Sequence, residues 1–439
     1  ETYGCQMNFA DSEVVCSIMN EHGYNLVNDI HDADVVFINT CSIRENAENK
    51  IFNRLKEITS LKKKNHSLVV GILGCMAERM KDELIAKADV VDLIVGPDAY
   101  RNIPNLIEEL NFNSKAINTQ LSLEETYSDI QPVRIDSNGV TAFISITRGC
   151  ENYCTYCVVP YTRGRERSRD PKSIIAEAKD LFDKGYREVT LLGQNVNSYK
   201  WVETTENGED KTFGFSYLME QVALVSPLLR VRFATSHPKD LSDELLNIIA
   251  KYDNICKFIH LPLQSGSSSM LARMNRKYDQ EKYLNRIEAI KRIIPDCSIG
   301  TDIIAGFSGE TEEEHQETLK VMNIVEYDYA YMFKYSERPG TFASKHLPDD
   351  VPEDVKGKRL TEIIELQQEL SLRSNKKDIG KTFEVLVEGK SKRNDNEYFG
   401  RNSQNKVLVF PASENLRGKY IKVKVKSCTA ATLIGELEE

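Results

Sequence analysis

The sequence predicts an α/β protein in three parts. These are an amino-terminal open parallel α/β sheet over 1–130, a central run of strands and crossover helices over 131–375, and a small antiparallel β-barrel over 376–439. Three observations predict this. The 439 residues correspond to about three domains. Short apolar runs alternate with helical periodicity as far as about residue 335. After Gly380 helical periodicity stops, and five short strand patterns follow within about 60 residues.

In the first part, strands are expected at 35–38, 68–73 and 91–95. Between the first two, 47–61 reads as a helix with Ile51, Leu55 and Ile58 on one face. Residues 111–139 are polar and weakly patterned, and read as a linker. In the second part, strands are expected at 142–146, 188–192, 230–234, 257–261, 298–305 and 328–333. One intervening helix opens at Asp170-Pro171 and stops at Gly185, and another opens with the capping box Thr311–Glu314. Six strands with crossover helices fit either a doubly wound sheet or a partial (β/α) barrel. In both, the active side is the carboxyl edge of the strands. A long helix from 352 to about 375 leads into strands at 383–387, 398–401, 407–410, 420–426 and 432–437.

Composition narrows the function classes. With 41% hydrophobic and 28% charged residues, the chain is neither disordered nor collagen-like. No stretch approaches the ~20 apolar residues of a membrane span. The chain opens at Glu1-Thr2-Tyr3-Gly4 with no targeting segment visible. Ten cysteines in a long chain of this kind indicate a reducing, cytoplasmic setting, where clustered Cys bind metal or catalyse. The net charge of −10 divides into −9 over 1–130, −5 over 131–375 and +4 over 376–439. The tail is therefore where a polyanion docks most easily.

The sharpest motif is Arg148-Gly149-Cys150-Glu151-Asn152-Tyr153-Cys154-Thr155-Tyr156-Cys157, directly after the strand expected at 142–146. Three thiolates within eight residues must share one tight loop. A structural zinc site needs a fourth ligand, and the nearest His, His237, is about eighty residues away. Three soft ligands and an open position suit a cubane iron–sulfur cluster with one free iron. Cys5, Cys41 and Cys75 each follow an expected strand. A parallel sheet would bring them to one edge, where three thiols make a second metal site. Cys16, Cys256, Cys297 and Cys428 lack partner spacing and read as structural.

Polar groups end the central strands. Gln194, Asn195, Ser236 and Gln264, with Tyr156 of the triplet loop, are candidate contacts for a small cofactor. His237, before Pro238, reads as structural. Arg163, Arg165, Arg167 and Arg169 alternate close after the triplet and are candidate phosphate grips. Arg401, Lys422 and Lys424 fit one basic face of the tail barrel. The polar stretch 201–215 reads as a lid or an exposed loop.

The triplet resembles the radical S-adenosylmethionine (SAM) signature. That resemblance implies a partial (β/α)6 barrel and a [4Fe–4S] cluster on Cys150, Cys154 and Cys157. The free iron of the cluster would chelate SAM, and electron transfer would cleave SAM to a 5′-deoxyadenosyl radical. The stretches Tyr3-Gly4-Cys5-Gln6-Met7-Asn8, Asn39-Thr40-Cys41 and Gly71-Ile72-Leu73-Gly74-Cys75-Met76-Ala77 resemble the amino-terminal domain of the methylthiotransferases. There the cysteines hold an auxiliary [4Fe–4S] cluster. The tail resembles the TRAM domain of RNA-modifying enzymes. All three together resemble the methylthiotransferase family of radical SAM enzymes, and most closely its branch acting on tRNA. The resemblance implies methylthiolation at C2 of an N6-isopentenyladenosine beside the anticodon. It also implies partners: the anticodon stem-loop, SAM, a reductant such as flavodoxin or ferredoxin, and iron–sulfur assembly and sulfur donors. Other readings are a sister enzyme acting on threonylcarbamoyl-adenosine, one acting on an aspartate of a small-subunit ribosomal protein, and a non-catalytic iron–sulfur RNA-binding protein.

Overall fold

A computed structural model describes residues 1–41, 45–135 and 138–438. The first sheet is fully parallel, in the order Thr2–Tyr3, Val35–Thr40, Val69–Leu73, Leu93–Val95 and Ala116–Asn118. Its central strands are apolar throughout because helices cover both faces. The helix Glu45–Lys62 buries Ile51, Leu55 and Ile58 against Val36, Ile38 and Val70, as its periodicity requires.

The expected linker is corrected in part. Ala116–Asn118 is the fifth strand, and Tyr127 is buried with its ring stacked on Tyr100 at 5.7 Å. A three-residue edge strand with polar flanks leaves no period-2 signal to read.

The six expected central strands form two parallel three-stranded sheets. Thr141–Ser145, Glu188–Leu192 and Arg230–Phe233 make one; Phe258–His260, Ser298–Ala305 and Tyr329–Lys334 make the other. A parallel bridge, Val231 to Ile255, joins them. One core of Ile144, Val189, Val231, Ile259, Ile299 and Ile303, with half-buried Met332 of the sixth strand packed against it, joins the strands to the helices. The result is an open half-barrel, which decides between the two topologies that periodicity allows. The polar stretch near 201–215 is a β-hairpin, Lys200–Thr204 with Asp210–Gly214. It is tied to the segment before helix Pro171–Asp183 by Lys200 N donating to Ser168 Oγ at 2.9 Å.

The tail is a closed five-stranded barrel with four antiparallel pairings and one parallel, Val407–Pro411 with Leu433–Leu437. The connection after Arg401 closes the amino-terminal end of the half-barrel. There Arg230 Nη1 donates to the Arg401 carbonyl at 2.7 Å, and Lys257 N donates to Ser403 Oγ at 2.9 Å. Among the described residues no helix is long and apolar enough to cross a membrane.

Candidate metal centres and cofactor cradle

Strand adjacency aligns the three amino-terminal cysteines. Tyr3 pairs with Thr40, and Asn39 with Leu73, so Cys5, Cys41 and Cys75 leave three neighbouring strands at one level. Cys5 caps helix Gln6–Glu21 and is exposed; Cys41 and Cys75 are buried. The surrounding motif residues lock these turns together. Asn8 Nδ2 donates to Asn39 Oδ1 at 3.0 Å, and Asn39 Nδ2 returns to the Asn8 carbonyl at 2.9 Å. Gly74 has φ +84, and a Cβ there would stand 2.4 Å from Asn39 Oδ1. Burial raises the Cys75 thiol above its ordinary pKa, opposed by the Arg163 guanidinium.

The central triplet lies on a loop that leaves strand Thr141–Ser145. The ribbon Thr147–Arg148 with Arg167–Ser168 closes its base. Gly149, at φ +79, permits the returning backbone, since a Cβ there would lie 2.0 Å from the Arg165 carbonyl oxygen. Cys150 N donates to the Gly164 carbonyl at 3.2 Å, and Gln194 Oε1 accepts from Gly149 N at 2.6 Å. Burial pushes Cys150 up to about 11. Burial and then the neighbouring Cys154 push Cys157 up to about 12. Arg276 Nη1 donates to Cys154 Sγ at 3.1 Å.

Among the described residues no three Cys, His, Asp or Glu groups converge on one ion position. A mononuclear site needs sulfurs about 3.8 Å apart, from metal–sulfur bonds of about 2.3 Å. The three soft thiolates of each triplet suit a multi-iron cluster, whose thiolates bind different irons.

At the carboxyl edge of the strands, Asn195 Oδ1, Ser236 Oγ, Thr147 Oγ1 and His237 Nε2 are buried without hydrogen-bond partners among the described residues. Orphaned polar atoms at that edge fit a polar cofactor that supplies their partners. Asn195 Nδ2 is already held by Asp240 at 2.8 Å. Gln264 is buried at φ +68, its backbone in register with Asp302 and Ile304. Tyr156 is half-buried, edge-on to Phe307. His237 Nδ1 accepts from Lys239 N at 3.2 Å, a capping bond in keeping with a structural role.

The arginine run requires correction. Arg163, Arg167 and Arg169 are buried, not phosphate grips. Arg163 Nη2 pairs with Asp11 at 2.7 Å. Arg167 forks onto Asp98 at 2.9 and 3.0 Å, and Arg169 pairs with Glu177. A buried guanidinium must be neutralised, and these carboxylates do so. Arg165 alone projects, its side chain 71% exposed. Arg401 is likewise engaged, with Nη1 2.7 Å from both Glu388 carboxylate oxygens. Lys422 and Lys424 are exposed, alternating with buried Val423 and Val425.

Sequence reasoning missed Asp11, Asp98 and Arg276. Asp11 carried a signal, since it interrupts the apolar stripe of Met7, Val14, Val15 and Ile18 on its helix. Its carboxylate holds Arg148 and Arg163 at 2.7 Å each and joins the first sheet to the triplet loop. Asp98 and Arg276 lie in irregular segments with no readable pattern.

A parallel half-barrel with a three-cysteine loop after its first strand defines a radical SAM protein, and the Radical SAM superfamily matches residues 144–322. The family described as Uncharacterized protein family UPF0004 matches 1–96, and the TRAM domain 376–437. The chain belongs to the family of the tRNA-2-methylthio-N(6)-dimethylallyladenosine synthases. It is 56% identical to that of Amoebophilus asiaticus, over 100% of this chain and 91% of that protein. It is 59% identical to that of Bacteroides thetaiotaomicron, over 99% and 95%. Among solved structures it resembles the radical S-adenosylmethionine methyltransferase TsrM from Kitasatospora setae, seen with cobalamin and a [4Fe-4S] cluster bound. The TM-score is 0.53 at 13% identity, covering 76% of this chain and 74% of that one. That likeness is one of fold alone.

Proposed function

We propose that this chain is a radical SAM methylthiotransferase that adds a methylthio group to C2 of N6-isopentenyladenosine beside the tRNA anticodon. The observation that carries the reading is the pair of cysteine triplets, set on two sheets and joined through Asp11, Arg148 and Arg163. Full-length relatives at 51–59% identity carry the corresponding enzyme name. When bound, a [4Fe–4S] cluster on Cys150, Cys154 and Cys157 supplies the electron that cleaves SAM, and one on Cys5, Cys41 and Cys75 carries the sulfur. Asn195 Oδ1 and Ser236 Oγ are the protein's available partners for SAM. Gln194 holds the loop at Gly149. The target base leaves its stack to reach the strand edge, at a cost of a few kcal/mol. Lys422, Lys424 and Arg165 are the exposed cations offered to RNA phosphates. A flavodoxin- or ferredoxin-like reductant, iron–sulfur assembly and sulfur donors, and a cytoplasmic setting complete the proposal.

Nucleoside mass spectrometry of tRNA from a deletion strain tests it. The methylthiolated isopentenyladenosine should vanish and its N6-isopentenyl precursor accumulate, with recovery on re-expression. Loss of a methylthiolated threonylcarbamoyl-adenosine instead would assign the sister activity. Unchanged nucleosides would remove tRNA as substrate.

A further inference from the structure

Arg163 comes from the triplet loop of the half-barrel, yet its side chain ends among the cysteines of the first sheet. Nε lies 3.1 Å from Cys75 Sγ, and Nη2 lies 2.7 Å from Asp11 Oδ2. Nη1 is buried with no hydrogen-bond partner among the described residues. The buried side chain is held by the Asp11 carboxylate, and its backbone is pinned on both sides. Its N–H donates to the Val159 carbonyl at 2.8 Å, and its carbonyl accepts from Arg167 Nη2 at 3.1 Å. A rigid fork is thus aimed by Asp11 at a thiol, with a further donor left for an acceptor that no described residue supplies. A donor buried unpaired loses its hydration with no bond in return, so the arrangement is poorly explained as packing alone.

We propose that Arg163 is a positioning residue that sets the electron affinity of the cluster on Cys5, Cys41 and Cys75, through its hydrogen bond to the Cys75 sulfur. This rests on the two-cluster reading above. Reduction adds negative charge to a cluster. A cationic donor on a ligating sulfur therefore stabilises the reduced form and raises its potential. Asp11 acts in the opposite sense, since its carboxylate is the fixed negative charge behind the guanidinium. The two residues should therefore move the potential in opposite directions, which a purely structural strut would not do.

The test uses full-length protein carrying Cys150→Ala, Cys154→Ala and Cys157→Ala, reconstituted anaerobically so that only the auxiliary cluster remains. Its midpoint potential is read by a redox titration followed by electron paramagnetic resonance. Arg163→Gln should shift the potential negative at equal iron, Asp11→Asn should shift it positive, and Arg163→Lys should fall between Arg163→Gln and the parent. Identical potentials at equal iron would overturn the proposal. So would loss of iron from Arg163→Lys, which would mark Arg163 as an assembly residue. Absence of iron from the parent triple variant would instead sink the two-cluster reading.

Discussion

Arg232 Nη2 donates to the Asn402 carbonyl at 2.7 Å, joining residues 170 positions apart, while its Nε is held by Glu188 at 2.8 Å. With Arg230 on the Arg401 carbonyl, this contact turns Gly400-Arg401-Asn402 inward, against the base of the half-barrel. The tail barrel is therefore a structural plug on one side. Its strand Tyr420–Cys428 keeps Lys422 and Lys424 exposed.

RNA binding should follow that strand. Lys422→Glu with Lys424→Glu should weaken tRNA binding and lower the salt slope by roughly one unit per lost phosphate contact. SAM affinity should not change. The measurement is tRNA binding at two salt concentrations, and an unchanged slope would mean that this face does not touch RNA. Deleting 376–439 is a poorer test. It would strip partners from buried Arg230 and Arg232, at about 1–3 kcal/mol for each unsatisfied group.

Iron should divide between the triplets. Reconstituted protein should bind about eight irons, and replacing Cys150, Cys154 and Cys157 by Ala should leave about half. SAM cleavage should stop. Replacing Cys5, Cys41 and Cys75 should leave cleavage working while ending methylthio transfer. Product formation by that second variant would rule out a sulfur source at the first sheet.

Asp98→Ala should be strongly destabilising. Its carboxylate is wholly inaccessible and neutralises Arg167, itself buried. Breaking such a pair from one side costs about 3–5 kcal/mol. Denaturant unfolding of the metal-free protein reads the loss, and a change below about 1 kcal/mol would place the pair among those of little consequence.

Gly149→Ala should cost about 1–2 kcal/mol from the left-handed backbone alone, before the clash with Arg165. Iron at the central triplet should fall with it. Gly208→Ala has a similar φ of +78 but open space around it, and should retain full iron. Equal iron in both variants would show that the loop does not need the close approach.

His237 should give an acid-sensitive step. Burial, with Arg276 and then Lys239 nearby, depresses it from 6.5 to about 2, so the folded ring stays neutral where the unfolded one protonates. Its contribution is therefore present above pH 6.5 and lost below it, by about 1.4 kcal/mol per pH unit and about 2 kcal/mol at pH 5. His237→Asn keeps an acceptor for Lys239 N. Its unfolding midpoint should fall less than the parent's between pH 7 and pH 5. Parallel falls would remove the assignment.

The sequence by itself determined the six central strands, the amphipathic helix carrying Ile51, Leu55 and Ile58, and the alternation around Lys422 and Lys424. Each follows from a local period in which one face must be buried. It also determined that Cys5, Cys41 and Cys75 end strands, so a parallel sheet was enough to gather them. Only the tertiary structure decided the half-barrel over the doubly wound sheet, the strand Ala116–Asn118, and the meaning of the arginine run. Arg163, Arg165, Arg167 and Arg169 look alike along the chain. Whether a guanidinium meets phosphate or carboxylate depends on what distant segments bring to it. Here Asp11, Asp98 and Glu177 claim three of the four and leave Arg165 to solvent. Such pairings carry no period, because charge neutralisation in a buried interface is set by contact across the fold and not by spacing along it.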